Sequence, residues 1–246
     1  MKRILQISAL TLALVGVGGA QAITLSDLLS GGSITAGDKV FNSFTALSYM
    51  SGDGRVANYA NIDVTALDDG GMDPGPGLRF TALNGELTVT GNDNYNFIDL
   101  AFGFRVTAPV GKLIKDNTLA FAPFGASVFY NGDGANDLGV RIQEWVGDAF
   151  VDPTTSGYIY TEFSNLDGTL NSVISASSNF APQQSVYVTK DILVWAADAT
   201  DTATLFGFDQ RFSQQLNNVP EPGTLALAAL GVLGALGIGR RRNRNT

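Results

Sequence analysis

"NYANIDVTAL", residues 58–67, decides the fold class. In an extended chain Tyr59, Asn61, Asp63 and Thr65 fall on one face and Ala60, Ile62, Val64 and Ala66 on the other. That alternation has the two-residue period of a half-buried strand, not the 3.6-residue period of a helix. Similar short runs recur on both sides, broken by Gly, Asn, Asp and Pro. "DKVFNSFTALSY" (38–49) sets Val40, Asn42 and Phe44 against Phe41, Ser43 and Thr45. "YNFIDLAFGFRVTA" (95–108) is the longest apolar-rich strand and the best candidate for the core. "LRFTAL" (78–83) and "ELTVTG" (86–91) read as a hairpin around Asn84-Gly85, a favoured two-residue turn.

Further strands are expected at "FGASVFY" (124–130), "GYIYTEF" (157–163), "SVYVTKDILVWAA" (185–197) and "ATLFGFDQRFSQ" (203–214). "DLGVRIQEWV" (137–146) alternates Val140, Ile142 and Glu144 with Arg141, Gln143 and Trp145, although a helical turn also fits. "TLSDLLSGGS" (24–33) starts as a helical turn that Gly31-Gly32 stops, and "DDGGMDPGPG" (68–77) is a loop, because no regular element tolerates that density of Gly and Pro. Turn signals every 8–15 residues or so and no long amphipathic helix together predict an all-β, jelly-roll-like β-sandwich over residues 23–216. No fixed-period repeat points to a solenoid or propeller.

The two ends follow different rules. Lys2 and Arg3, an apolar run and Ala20-Gln21-Ala22 form the three parts of a secretory signal peptide over residues 1–22, with Ala20 and Ala22 as the small residues a signal peptidase accepts. A retained membrane helix is the alternative. Residues 223–239 carry no charge. As a helix they span about 25 Å, just short of a hydrocarbon core of about 30 Å. One transmembrane helix is therefore expected there. Arg240, Arg241, Arg242 and Arg244 follow it and would hold that end in the cytoplasm. Pro220 and Pro222 keep "VPEP" extended ahead of the helix, in a form that a membrane-embedded protease can bind.

Pro220-Glu221-Pro222, the short hydrophobic helix and the arginine cluster resemble the PEP-CTERM sorting tail of exported bacterial proteins. The same kind of tail is also labelled an ice-binding protein C-terminal domain. The resemblance covers residues 217–246. It implies recognition by an exosortase, cleavage near the motif after transient anchoring in the inner membrane, and a destination in the cell envelope, at the surface or in the extracellular matrix. It also implies association with exopolysaccharide and biofilm. An uncut single-span anchor is the alternative. The mature start, "ITLSDLLSGGSITAGDKVFNSF", and the stretch from "VYVTKDILVWAA" to "FGFDQRFSQ" are similar to recurring features of the same proteins, which implies a secreted β-rich domain.

Composition narrows the function. With leader and tail set aside, 9 basic and 22 acidic residues remain, a net charge of −13. Such a body repels nucleic acid and anionic membrane surfaces. The chain has no His and no Cys. That excludes a Ser-His-Asp triad, a Cys-His pair and any imidazole or thiolate metal site. It also means an exported domain without disulfide staples. A pair of carboxylates could still serve a glycosidase, but acids on a soluble acidic surface need no such role, and a non-enzymatic protein is expected.

The Asp/Asn/Gly loops raise structural calcium as a cofactor, with Asp133 and Asp137 in "NGDGANDLGVRIQE" (131–144) as ligands, and Asn131, Asn136 and Glu144 as further oxygen donors. Ala135 and Leu138 stand where an EF-hand needs a ligand and a glycine, so this is not an EF-hand. "DDGGMD" (68–73) is a second acidic cluster, and turn formation alone accounts for either one. For a carbohydrate-binding module, Tyr130, Trp145, Tyr158, Tyr160, Tyr187 and Trp195 are the aromatic candidates, each also suited to a core or cross-strand place. A lone T-x-T at 88–90 gives ice binding no support. The sequence thus points to a structural or adhesive component of the envelope or exopolysaccharide matrix, with a lectin-like, calcium-dependent module as the alternative.

Overall fold

The computed structural model describes residues 22–130, 137–150 and 156–217. Ile23–Thr24 (β1) leads into a short helix, Leu25–Leu29 (α1), capped by the Thr24 hydroxyl, which accepts from the Asp27 N–H at 3.1 Å. It buries Leu25 and Leu28 and stops before Gly31, as the sequence predicts. Ile34–Ala36 (β2), Lys39–Ser51 (β3), Ile62–Leu67 (β4), Gly77–Ala82 (β5) and Thr88–Thr90 (β6) follow. Then come Asn96–Thr107 (β7), Lys112–Phe121 (β8), Ala126–Phe129 (β9), Asp137–Gly147 (β10), Gly157–Leu166 (β11) and Thr169–Val173 (β12). Ser175–Gln183 (β13), Ser185–Ala196 (β14), Thr202–Leu205 (β15) and Gly207–Leu216 (β16) complete the described chain.

All pairings are antiparallel. One sheet has six strands in the order β1-β4-β5-β16-β8-β13, and the other seven in the order β12-β11-β10-β14-β7-β3-β2. Late strands are inserted between earlier ones, β16 between β5 and β8 and β14 between β10 and β7, as in a jelly-roll-like sandwich. A third sheet, β6-β15-β9, repeats the order of the three strands next to it in the chain, β5-β16-β8. It continues the six-stranded sheet past a kink at Phe206-Gly207, where a side chain on Gly207 would meet the Phe80 carbonyl oxygen at 2.5 Å.

The sheets pack through phenylalanines. Phe80 and Phe208 stack at 4.7 Å, Phe80 lies 5.4 Å from Phe102 on the opposite sheet, and Phe41 lies 6.1 Å from Phe212. The 95–108 run becomes β7, with Ile98, Leu100, Phe102, Phe104 and Val106 all buried. Burying each such side chain contributes roughly 1.5–3 kcal/mol.

Four expectations need correcting. The alternation read from Tyr59 starts too early, because Tyr59–Asn61 is a 3-10 turn and the strand begins only at Ile62. Strict alternation sets Phe41 and Phe44 on opposite faces, yet both are buried. A β-bulge between Asn42 and Thr45, with Ser43 at φ 55°, shifts the register by one and turns both rings inward. Asn84 and Gly85 do take positive φ (54° and 70°), but no hairpin forms. β5 pairs with β4 and β16, whereas β6 pairs with β15 in another sheet. Residues 203–214 form two strands rather than one, split at the kink. The region 137–146, open to either reading, is a strand.

Candidate functional site

β10 and β11 pair without a break from Asp137↔Leu166 to Val146↔Gly157. Because Val140, Ile142 and Glu144 turn into the core, Arg141, Gln143 and Trp145 must face outward. Their cross-strand partners are Glu162, Tyr160 and Tyr158. β14 continues the same outer face on the other side, setting Leu193 beside Arg141, Asp191 beside Gln143 and Thr189 beside Trp145.

The β10–β11–β12 side of this face forms an open groove of about 360 Å³, lined by Arg141, Gln143, Tyr158, Tyr160, Glu162, Leu166 and Asn171. Tyr158 and Tyr160 are 45% and 40% exposed. Trp145 lies 5.3 Å from Tyr158, tilted by 43°, and buttresses it. The Gln143 side-chain amide donates to the Tyr158 hydroxyl at 2.7 Å. At the groove floor Arg141 Nε donates to Glu162 Oε2 at 2.8 Å, while Ser164 Oγ and Asn171 Nδ2 donate to Glu162 Oε1 at 2.7 and 3.3 Å. Burial pushes the Glu162 carboxyl up, but Ser164, Arg141 and Asn171 outweigh it and hold it below its ordinary range. Glu162 therefore stays ionised and fixed, a positioned acceptor.

Toward β7 the character changes. Asp191 is pushed up to about 6, first by burial, then by the charge of Asp99 and a hydrogen bond to it. Tyr187 packs edge-on against Phe150 at 4.8 Å and under the Arg105 guanidinium at 5.7 Å. Trp195 is only 4% exposed. Its ring lies across Gly139, where a Cβ would come within 2.6 Å of it, and Nε1 donates to Asp137 Oδ1 at 2.7 Å.

Of the six aromatic candidates, the sheet thus brings Trp145, Tyr158, Tyr160, Tyr187 and Trp195 to one face. Trp195 is packed away as a structural side chain, and Tyr130 sits at the end of β9, outside the groove. Nothing in the sequence alone marks Arg141, Gln143, Glu162 and Asn171 as one site. The β10 alternation could have marked the outward set, but only pairing with β11 and β12 shows that they converge.

The acidic loop 68–73 is tied to the protein. Asp68 Oδ1 accepts from the Gly37 N–H at 2.6 Å, Asp69 pairs with Arg211 at 2.7 Å and Asp73 with Lys115 at 3.1 Å. Among the described residues no group of three or more acidic side chains is placed to hold a metal. Of the calcium candidates, Asp137 bonds Trp195, Glu144 is fully buried between the sheets, and Asn131, Asp133 and Asn136 lie outside the described residues. So do Ala20, Pro220, Glu221, Pro222, Arg240, Arg241 and Arg242, the expected helix at 223–239 and nearly all of the leader; Ala22 is exposed just ahead of β1. Among the described residues no helix is long and apolar enough to cross a membrane.

Residues 218–243 match the model of the PEP-CTERM protein-sorting motif. The chain carries a PEP-CTERM sorting motif. This motif is the recognition signal of exosortase, and it marks an exported protein of the cell envelope. No curated protein matches the chain. Among solved structures, TmCBM61 in complex with β-1,4-galactotriose is 12% identical, with 69% of this chain and 88% of that one covered and a TM-score of 0.23. Tailspike protein 4 of bacteriophage CBA120 is 11% identical, with 73% and 19% covered and a TM-score of 0.23. Endoglucanase 3 of Trichoderma harzianum is 7% identical, with 71% and 97% covered and a TM-score of 0.23. Likenesses this distant carry no argument about this chain.

Proposed function

We propose that this protein is a non-enzymatic, adhesive component of the cell envelope or exopolysaccharide matrix, and that the β10–β11–β12 groove binds polysaccharide. One observation carries the reading: two half-exposed tyrosines stand side by side in an open groove whose floor presents fixed hydrogen-bonding groups. Sugar rings offer apolar C–H faces that stack on aromatic rings, and hydroxyls that suit a mixed set of donors and acceptors. Gln143, Arg141, Glu162 and Asn171 supply that set. The net charge of the body suits a neutral or cationic glycan better than a polyanionic one.

The test is calorimetric titration of the mature protein with soluble exopolysaccharide from its own host, with and without chelator. Saturable binding insensitive to chelator supports the groove. Binding lost with chelator moves the site to the calcium reading, and no binding in either condition refutes the proposal. The sorting tail makes a separate prediction. The intact mass of the protein recovered from its host should end near Pro220-Glu221-Pro222, and a mass running to Thr246 would mean an uncut anchor.

A further inference from the structure

Between the sheets, walled by phenylalanines, lies a polar cluster with no outlet to solvent. Lys190 on β14, Glu144 on β10, Asn117 on β8 and Gln210 on β16 are all 0% exposed. Lys190 and Glu144 are direct cross-strand partners in the seven-stranded sheet, and Asn117 faces them from the six-stranded sheet. Lys190 Nζ donates to Glu144 Oε2 and to Gln210 Oε1, and Asn117 Nδ2 donates to Glu144 Oε1. Gln210 Nε2 also reaches Glu144 Oε1, at 3.1 Å. The Phe208 ring lies 5.3 Å from Lys190 Nζ. The carbonyl oxygen of Asn117 is buried without any hydrogen-bond partner.

A buried amine, a buried carboxamide and a carboxyl group bonded to both are the parts of an amide-exchange reaction. We propose that Lys190 and Asn117 join in an intramolecular isopeptide bond, with Glu144 as the proton shuttle. In a medium this dry, an ammonium facing a carboxylate gains by passing its proton across, because two neutral groups avoid the cost of two buried charges. Burial drives Lys190 in that direction, against the pull of Glu144. The neutral Nζ then attacks Asn117 Cγ. Glu144, now a carboxylic acid, donates to the orphaned Asn117 carbonyl oxygen once the amide turns over, and polarises it for the attack. The new bond is Nζ–Cγ and the bond broken is Cγ–Nδ2. Glu144 relays a proton from Nζ to Nδ2, which leaves as ammonia. No oxidant, metal or cofactor is consumed.

The bond would staple the two sheets together and close residues 117–190 into a covalent loop. An exported chain without a single cysteine has no disulfide with which to do this. Both amide nitrogens bond the carboxyl that must protonate the leaving group, and Asn117 is the acceptor rather than Gln210 because its carbonyl is free for activation. Gln210 instead spends its carbonyl on the lysine.

The test is a tryptic digest of the mature protein purified from its host. The linked form leaves Lys190 uncleaved and joins peptide 116–141 to peptide 142–211, in a species lighter than the sum by one ammonia, about 17 Da. Free peptides 116–141 and 142–190 in most of the protein would overturn the bond and leave a buried ion pair. A linkage found at Gln210 would overturn the choice of acceptor. In Asn117→Ala the 17 Da loss and the branched peptide should both vanish while the circular dichroism stays β-rich. Glu144→Gln should likewise yield only linear peptides, and a cross-link that persists in it would refute the role of Glu144. Should either variant fail to fold, the wild-type digest still decides.

Discussion

Replacing both groove tyrosines with alanine is the sharpest test of the binding face. Tyr158 and Tyr160 are already packed on one side, with 45% and 40% of their surface exposed. A tyrosine side chain offers about 200 Å² for burial, so about 80 Å² of each is left for a ligand to cover. At about 25 cal/mol per Å² that surface is worth about 2 kcal/mol when fully covered. A sugar ring covers one face, roughly half of it, which leaves about 1 kcal/mol per tyrosine, or about fivefold in Kd. Tyr158→Ala and Tyr160→Ala should each weaken polysaccharide binding by about that factor, and the double variant by about 30-fold. Neither change should unfold the protein, since both rings stand on the outer face and leave the phenylalanine core untouched. Isothermal titration gives Kd, and a urea melt checks the fold. A double variant that binds as the wild type does, with an unchanged melt, would refute the groove.

Two further changes probe the scaffold of the face. Gly139→Ala puts a methyl group 2.6 Å from the Trp195 ring and 2.4 Å from Ser164 Cβ, so it should cost about 1–3 kcal/mol and alter tryptophan fluorescence, both read in one denaturant titration. Asp191 bears on pH. Its folded pKa of about 6 lies above the ordinary aspartate value, so between about pH 4 and 6 the native state holds a proton that the unfolded state has lost. The contribution of this group to stability is full below that window and lost as pH rises through it. Denaturation midpoints of Asp191→Asn relative to wild type should therefore climb from about pH 4 to 6 and level off above; two parallel profiles would show that Asp191 titrates normally.

Much of this protein is decided by local chemistry and so can be read from the sequence. Period-two alternation marks β4, β7, β10 and β14 because one face of each strand must leave water and the next residue must not. Gly-rich and Pro-rich breaks mark where no ladder can continue, as at 68–76. The sorting motif at 218–243 is legible for a similar reason, since a proline pair, an apolar run and a basic cluster act in linear order.

Long-range pairing settles what the sequence leaves open. Nothing beside Asn84-Gly85 says that β5 and β6 will part, because their partners β16 and β15 lie more than a hundred residues on. The bulge at Ser43 follows from matching β3 to β7, and it sends two phenylalanines inward where alternation would send one. Tyr158 and Tyr160 become a surface only when register aligns them with Trp145 and Gln143, while Trp195 leaves that surface because Gly139 gives its ring a place to lie. Lys190, Glu144 and Asn117 stand 27 and 46 residues from one another, and the sequence sets Lys190 and Glu144 in separate expected strands and Asn117 in none. Side-chain direction along a strand is a local property. Which strands stand opposite one another is a property of the whole sandwich, and it alone brings an amine, a carboxyl and a carboxamide together out of reach of water.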